Sequence, residues 1–367
     1  VSKKNVSSST QSSFSKALPE IVLRHHQKTL NKPMREWQSR KQIPPVLLLT
    51  GQPGIGKRLI AHHLAQWILC EHQGLQSQSN VPCHQCPACQ KFLSGNETNF
   101  SEIISDDDEE GHSVSGSLKI EQFRKLKTTA GFSADEGKHK IFLISNAERM
   151  TLQAANSVLK ILEEPSPGWV FFLTTHDTTL LLPTLVSRCQ TLRLKPLLSE
   201  EIHELLLNTG VEAHRAEICA KFSQGSWERA LTFSENENWE QRQTLIQFLK
   251  SPSSVLQAVV DWSTQKPHHF EIVLDLLEQF TADLIRWSIH EDSPQYGKHS
   301  WKNIDGADEF SAHARRIFHQ KKTIKAARNF WICRAERLAS ARQQSLAPLN
   351  RKLLIQDVLL PWMEEHS

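Results

Sequence analysis

The chain has 367 residues, 39% of them hydrophobic and 23% charged, with a formal charge of +3 at pH 7. That length exceeds what one hydrophobic core usually fills, so two or three domains are expected, and the near balance of charge excludes a global electrostatic case for a nucleic-acid or membrane partner. No apolar run reaches the roughly 18 residues that span a bilayer, and the polar, serine-rich start is unlike a signal peptide, so the expectation is a cytosolic protein.

In chain order, residues 1–16 hold Ser7, Ser8, Ser9, Ser12 and Ser13 and too little apolar content to order themselves, so they read as a loose tail. From Pro44 the pattern changes. Val46 to Leu49 is a short apolar run, and Ile60, Leu64, Trp67 and Ile68 follow at helical spacing, which predicts a strand and then a helix. The alternation returns with Ile141 to Ile144 as a strand, Leu152, Ala155, Leu159 and Leu162 on one helical face, and Val170 to Leu173 as a further strand. Apolar strands separated by helices imply a parallel sheet covered on both faces. Beyond Pro196 only helical patterns remain: Glu200 to Leu207, Ala213 to Phe222, and most of Trp239 to Met363.

Between the first strand and its helix lies Gly51-Gln52-Pro53-Gly54-Ile55-Gly56-Lys57-Arg58. This is the context in which GxxxxGK[ST] forms a phosphate-binding loop. Gly51, Gly54 and Gly56 let backbone N–H groups curl around phosphate oxygens, and Lys57 reaches the terminal phosphates. The next position should carry a hydroxyl for magnesium, and Arg58 cannot ligate a cation. A nucleotide-binding loop and a ligand-free glycine turn therefore both stay open. Hydrolysis also needs acids at the end of a second strand, one for the metal and one for the attacking water. The strand Ile141 to Ile144 ends instead in Ser145 and Asn146, and Glu148 reads as a surface carboxylate. With hydroxyl and acids both missing, the chain is expected not to hydrolyse ATP and to have no magnesium site.

Seven cysteines occur, and four crowd between Cys70 and Cys89. Cys83, Cys86 and Cys89 form CxxCxxC, and in a reducing compartment this spacing points to a closed structural zinc site rather than to disulfides. Cys70 or His84 can complete the set. Cys189, Cys219 and Cys333 read as ordinary buried thiols. The run Asp106 to Glu110 reads as a solvated loop. Leu118 to Lys127 reads as a helix that buries Ile120 and Phe123 and presents Arg124, Lys125 and Lys127 outward, where they are candidates for salt-sensitive phosphate-backbone contact, or simply a solvated face.

Taken in order, the phosphate loop, the cysteine cluster, the strand Ile141 to Ile144 and the run Ala154-Ala155-Asn156-Ser157-Val158-Leu159-Lys160-Ile161-Leu162-Glu163-Glu164-Pro165 carry a likeness. The strand Val170 to Leu173, the triplet Ser187-Arg188-Cys189 and Gly225-Ser226-Trp227-Glu228-Arg229-Ala230-Leu231 complete it. This set resembles the clamp loader of bacterial DNA polymerase III, and within it the delta-prime kind, over about Leu18 to Leu231, with a weaker echo at Leu349 to Leu354. The resemblance implies an α/β AAA+ P-loop domain over residues 17–194 with a zinc module at 70–89, a helical lid over 195–237 and an all-α collar over 238–367. It implies that Arg188 acts as an arginine finger on ATP held by a neighbouring motor subunit, a job suited to a rigid guanidinium. It favours Cys70 as the fourth zinc ligand and matches Thr175, with Thr174, to a polar sensor at a strand end. The implied partners are motor and delta subunits in a hetero-pentamer, the sliding clamp and primed DNA; the enzyme is the polymerase holoenzyme rather than this chain. One departure matters: the motor-type lid motif carries an arginine where this chain has Glu228, and Arg229 stands about a hundred degrees further round the helix. A motor ATPase with a divergent loop is the rival reading.

Overall fold

The computed structural model describes residues 8–75, 77–104, 117–119, 121, 123, 139–248, 252–290, 307–345 and 350–363. A helix, α1 (Ser8–Arg40), comes first and buries Val22, His26, Leu30, Met34 and Trp37 along one face. It starts inside the stretch read as a loose tail. Once a packed stripe has nucleated a helix, each further residue adds a hydrogen bond at little cost, and serine lowers helix propensity only modestly. Its C-terminus is closed by Gln42 N–H on Trp37 O and Lys41 N–H on Gln38 O, with Lys41 in the left-handed region at φ 49.

Then come β1 (Val46–Thr50), α2 (Lys57–Leu69), α3 (Pro87–Leu93), β2 (Phe100–Ile103), β3 (Lys140–Ile144), α4 (Leu152–Glu163), β4 (Trp169–Thr175), a single turn α5 (Pro183–Val186), β5 (Gln190–Arg193) and α6 (Ser199–Asn208). The five strands form one sheet in the order β2-β3-β4-β1-β5, parallel throughout. Every residue of β1, β3 and β4 is buried, as strands covered on both faces require. Val46, Leu48, Phe142, Ile144, Phe171 and Leu173 share one core with Val158 and Leu162 of α4. The edge strands β2 and β5 lack an apolar run, being mostly half-buried and mostly exposed respectively. Hence periodicity finds the centre of the sheet and misses its rims.

The chain divides into two compact units. The first holds the described residues up to Thr209 together with Gly225–Glu228, and the second holds Gly210–Gln224 and the described residues from Arg229 onward. The second unit is helical: α7 (Ala213–Phe222), the rest of α8 (Trp227–Ser234), α9 (Asn236–Phe248), α10 (Pro252–Gln265), α11 (Pro267–His290), α12 (Ala307–Lys321), α13 (Ile324–Ser345) and α14 (Arg351–Met363). Its core includes Trp262, Phe270, Trp331 and Trp362. Along α13 the buried positions are Ala327, Trp331, Arg334, Leu338 and Ala341. Cys333 lies off that stripe and is exposed, which corrects its reading as a buried thiol; Cys219 is buried and Cys189 partly so.

Candidate functional site

The glycine loop leaves β1 at its C-terminal end and closes into α2, with Gly51, Gly54 and Gly56 at φ 152, 72 and 94. Gly56 is the N-cap of α2, and a Cβ there would stand 2.7 Å from Val22 Cγ1. At Gly54 a Cβ would lie 2.1 Å from Ser226 Oγ, so glycine is required by the neighbour as well as by the backbone. Trp227 and Glu228 both direct their N–H groups at Gly54 O, at 2.8 and 3.4 Å. The segment around Gly225–Glu228 thus sits directly on the loop.

Lys57 is buried and turned onto its own loop, its Nζ donating to Gly51 O at 2.7 Å and to Gln52 O at 2.9 Å. Burial lowers its pKa to about 8, against the opposing pull of Glu148 and Glu228. Two carboxylates therefore neighbour the one cation that a phosphate would need. Glu228, read from the sequence as the replacement of a sensor arginine, supplies a negative charge to the same corner. Arg229 is held by Asp275 at 2.9 and 3.2 Å and is committed elsewhere.

Glu148 corrects a sequence expectation. Its side chain is only 6% exposed rather than on the surface, one oxygen bonds His176 Nδ1, and Oε2 is buried without a hydrogen-bond partner among the described residues. The residue sits in a single 3-10 turn, Ala147–Arg149, that follows β3 and Asn146 at φ 53.

Arg58, at the hydroxyl position of the loop pattern, is paired within the protein. Arg58 forks onto Glu102, Nε to Oε1 at 2.6 Å and Nη2 to Oε2 at 2.8 Å. His62 Nε2 lies 2.9 Å from the second oxygen, and Ser145 Oγ, at the tip where an acid was expected, donates to the first at 2.8 Å. Burial works to raise the Glu102 pKa, but the hydrogen bonds from His62 and Arg58 outweigh it and hold the group at about 2. Sequence reasoning missed Glu102 and His62. Glu102 stands on an edge strand without a pattern, 44 residues from Arg58.

At the tips of the strands Thr174 Oγ1 accepts from Asn146 N–H at 2.9 Å, and Thr175, fully buried, donates its hydroxyl to Asp177 O and its carbonyl accepts from Gly51 N–H. Both threonines bind strand end to strand end.

Arg188 follows α5, whose first residue is Pro183 and whose last turn is closed by Ser187. Its Nη1 donates to Thr184 O at 2.8 Å and its Nη2 to Glu163 Oε1 at 2.9 Å. The side chain keeps 37% of its surface exposed. Cys189 Sγ lies 3.1 Å from Leu185 O, and burial pushes its thiol pKa up to about 11.

The structure brings Cys70, Cys83, Cys86 and Cys89 together, their sulfurs all within 4.8 Å of one another. Cys70 to Cys86 and Cys83 to Cys89 are each 4.0 Å, close to the roughly 3.8 Å that Zn–S bonds of about 2.3 Å impose on a tetrahedron, so the donor set fits a tetrahedral ion. Backbone N–H groups of Gln73, Cys83, Cys86 and Cys89 point at the sulfurs. Cys83 is lowered to about 6, chiefly by the Gln85 N–H, while burial raises Cys89. His84 turns away with φ 58 and pairs with Gln66, so Cys70 rather than His84 completes the cluster. Arg124, Lys125, Lys127 and the acidic run 106–110 lie outside the described residues, although Phe123 is buried as expected. Among the described residues no helix is long and apolar enough to cross a membrane.

A glycine loop after β1, the fourth position in the order of an all-parallel sheet, with a helix following, defines an α/β domain of P-loop type with an all-α part after it. Residues 26–198 match the family model described as DNA polymerase III, delta subunit. The chain is 30% identical over 236 residues to DNA polymerase III subunit delta' of Bacillus subtilis, covering 64% of this chain and 65% of that one, just under two thirds of the relative's length. It is 28% identical over 327 residues to the subunit delta' of Yersinia pestis, 86% of this chain and 88% of the relative. Among solved structures, a DNA polymerase III gamma subunit-related protein of Thermotoga maritima aligns over 91% of this chain and all of that one with 17% identity and a TM-score of 0.43, too loose to carry an argument. Over these stretches the chain is similar to DNA polymerase III delta' subunits.

Proposed function

We propose that this chain is a delta-prime-like clamp-loader subunit that hydrolyses no ATP itself and lends Arg188 in trans to ATP held by a motor subunit. The observation that carries the reading is the Arg58–Glu102 pair: the corner where a hydrolytic loop holds magnesium is filled by an internal ion pair, and Lys57 is spent on its own loop carbonyls. A second cation on a separate turn, Arg188, is partly open to solvent. A guanidinium delivered to developing phosphoryl charge accelerates hydrolysis by roughly 10³ to 10⁵. In this reading the partners are motor and delta subunits in a hetero-pentamer, the sliding clamp and primed DNA, and the setting is the bacterial cytoplasm. Arg124, Lys125 and Lys127 are offered as backbone contacts to that DNA. The domains run 17–194, 195–237 and 238–367, the last serving as collar.

In the same reading the four cysteines hold one structural zinc, with every coordination position filled by protein, so the metal stabilises the module at 70–89 and takes no part in chemistry. Elemental analysis should find one zinc per chain, lost in Cys86→Ser.

One observation favours the rival, a motor with a divergent loop: the buried carboxylate of Glu148 lies close enough to Lys57 to act on its charge. ATP turnover separates the two. The purified chain alone should show none, and an assembly with motor subunits should turn over ATP in a way that depends on Arg188. Turnover by the chain alone at a motor's rate would establish the rival.

A further inference from the structure

Building on the trans role of Arg188, we propose that Glu163 is the positioning residue of that arginine, fixing the guanidinium in the orientation in which it meets a neighbour's phosphate.

Arginine side chains are rich in rotamers, so an arginine finger on a bare surface turn would have to be ordered anew at each encounter. Arg188 is held at two points instead. Nη1 donates to Thr184 O, which also accepts Ser187 Oγ at 3.0 Å, so the turn and the guanidinium share one anchor. Nη2 donates to Glu163 Oε1. These two bonds use one hydrogen of each terminal nitrogen, out of the five N–H donors of a guanidinium. The side chain therefore retains both donors and exposed surface while its plane is fixed.

The anchor on the other side is rigid. Glu163 is the last residue of α4, a helix whose Thr151 cap accepts from Ala154 N–H and whose Ala154, Ala155, Val158 and Leu162 are buried. Stability does not account for the pair: Glu163 is 49% exposed, and exposed ion pairs contribute little. Geometry does, because a misplacement of about 1 Å can cost on the order of a hundredfold in a positioned reaction. A carboxylate has only acceptors and repels phosphate, so Glu163 acts through Arg188 and does not touch substrate.

The test is steady-state ATP turnover of the clamp-loader assembly reconstituted with variants of this chain. Glu163→Ala should lower kcat about tenfold with KM for ATP within about twofold, Glu163→Gln, which keeps an acceptor oxygen, should recover to within about threefold of wild type, and Glu163→Ala with Arg188→Ala should match Arg188→Ala alone. Unchanged or faster turnover in Glu163→Ala, or a double variant lower than Arg188→Ala by the full factor of the single one, overturns the proposal. If Arg188→Ala itself leaves turnover intact, the trans role falls and positioning falls with it. If Arg188→Ala abolishes turnover and Glu163→Ala does not, only the positioning claim fails.

Discussion

Arg58 and Arg188 are both exposed enough to meet a ligand, and both bond a carboxylate of their own domain, yet they are held in opposite ways. Arg58 spends its Nε/Nη2 edge, the edge best shaped for a carboxylate or phosphate, on Glu102, a side chain 13% exposed that also takes hydrogen bonds from His62 and Ser145. Arg188 is held at its two terminal nitrogens by a backbone carbonyl and a carboxylate that is half in solvent. The first arrangement uses a cation as structure. In the proposed reading, the second aims one. What decides between them is the depth of the acceptor, because an interior carboxylate stripped of its cation has no water to turn to.

The contrast breaks most visibly through the two arginines themselves. Arg188→Ala is expected to lower ATP turnover by the reconstituted assembly about 10³-fold, whereas Arg58→Thr leaves it within about twofold, as measured by phosphate release. Loss of both activities to the same degree would erase the distinction.

Glu102→Ala comes next. Removing an acceptor that serves Arg58, His62 and Ser145 should destabilise the first unit by about 2 kcal/mol in chemical denaturation, while Glu163→Ala should cost well under 1 kcal/mol.

Acid titration sharpens the same point. His26 and His63 are depressed to about 4 by burial, so the unfolded chain takes up protons first and stability should fall as pH drops from about 6.5 to 4. Glu102, held at about 2, contributes stability that is present above its unfolded value of 4.5 and is lost as pH falls from there towards 2. In Glu102→Ala that lower limb should shrink, as melting temperatures across the range will show. A modest effect is expected at the cap of the helix that carries Glu163: Thr151→Ala should cost about 1 kcal/mol, read by thermal unfolding.

How much of this was legible beforehand follows from range along the chain. The glycine loop, the three buried strands, the helix ending at Glu163 and the cysteine knuckle are written in contiguous residues, and local patterns find them. Glu102 is not, because its partners are brought to it by sheet pairing, Ser145 through β2 beside β3 and Arg58 through the loop leaving β1. Glu148 escapes local reading because a charged residue after a strand ordinarily faces water, and its partner His176 lies 28 residues on, beyond β4. Arg188 was legible by resemblance, but its link to Glu163 joins two motifs 25 residues apart that no periodicity connects.

The most direct measurement is a structure of the assembled loader with a non-hydrolysable ATP analogue. Arg188 should lie within hydrogen-bond distance, about 3 Å, of a terminal phosphate bound by the adjacent chain. Arg188 with no phosphate near it would contradict the account.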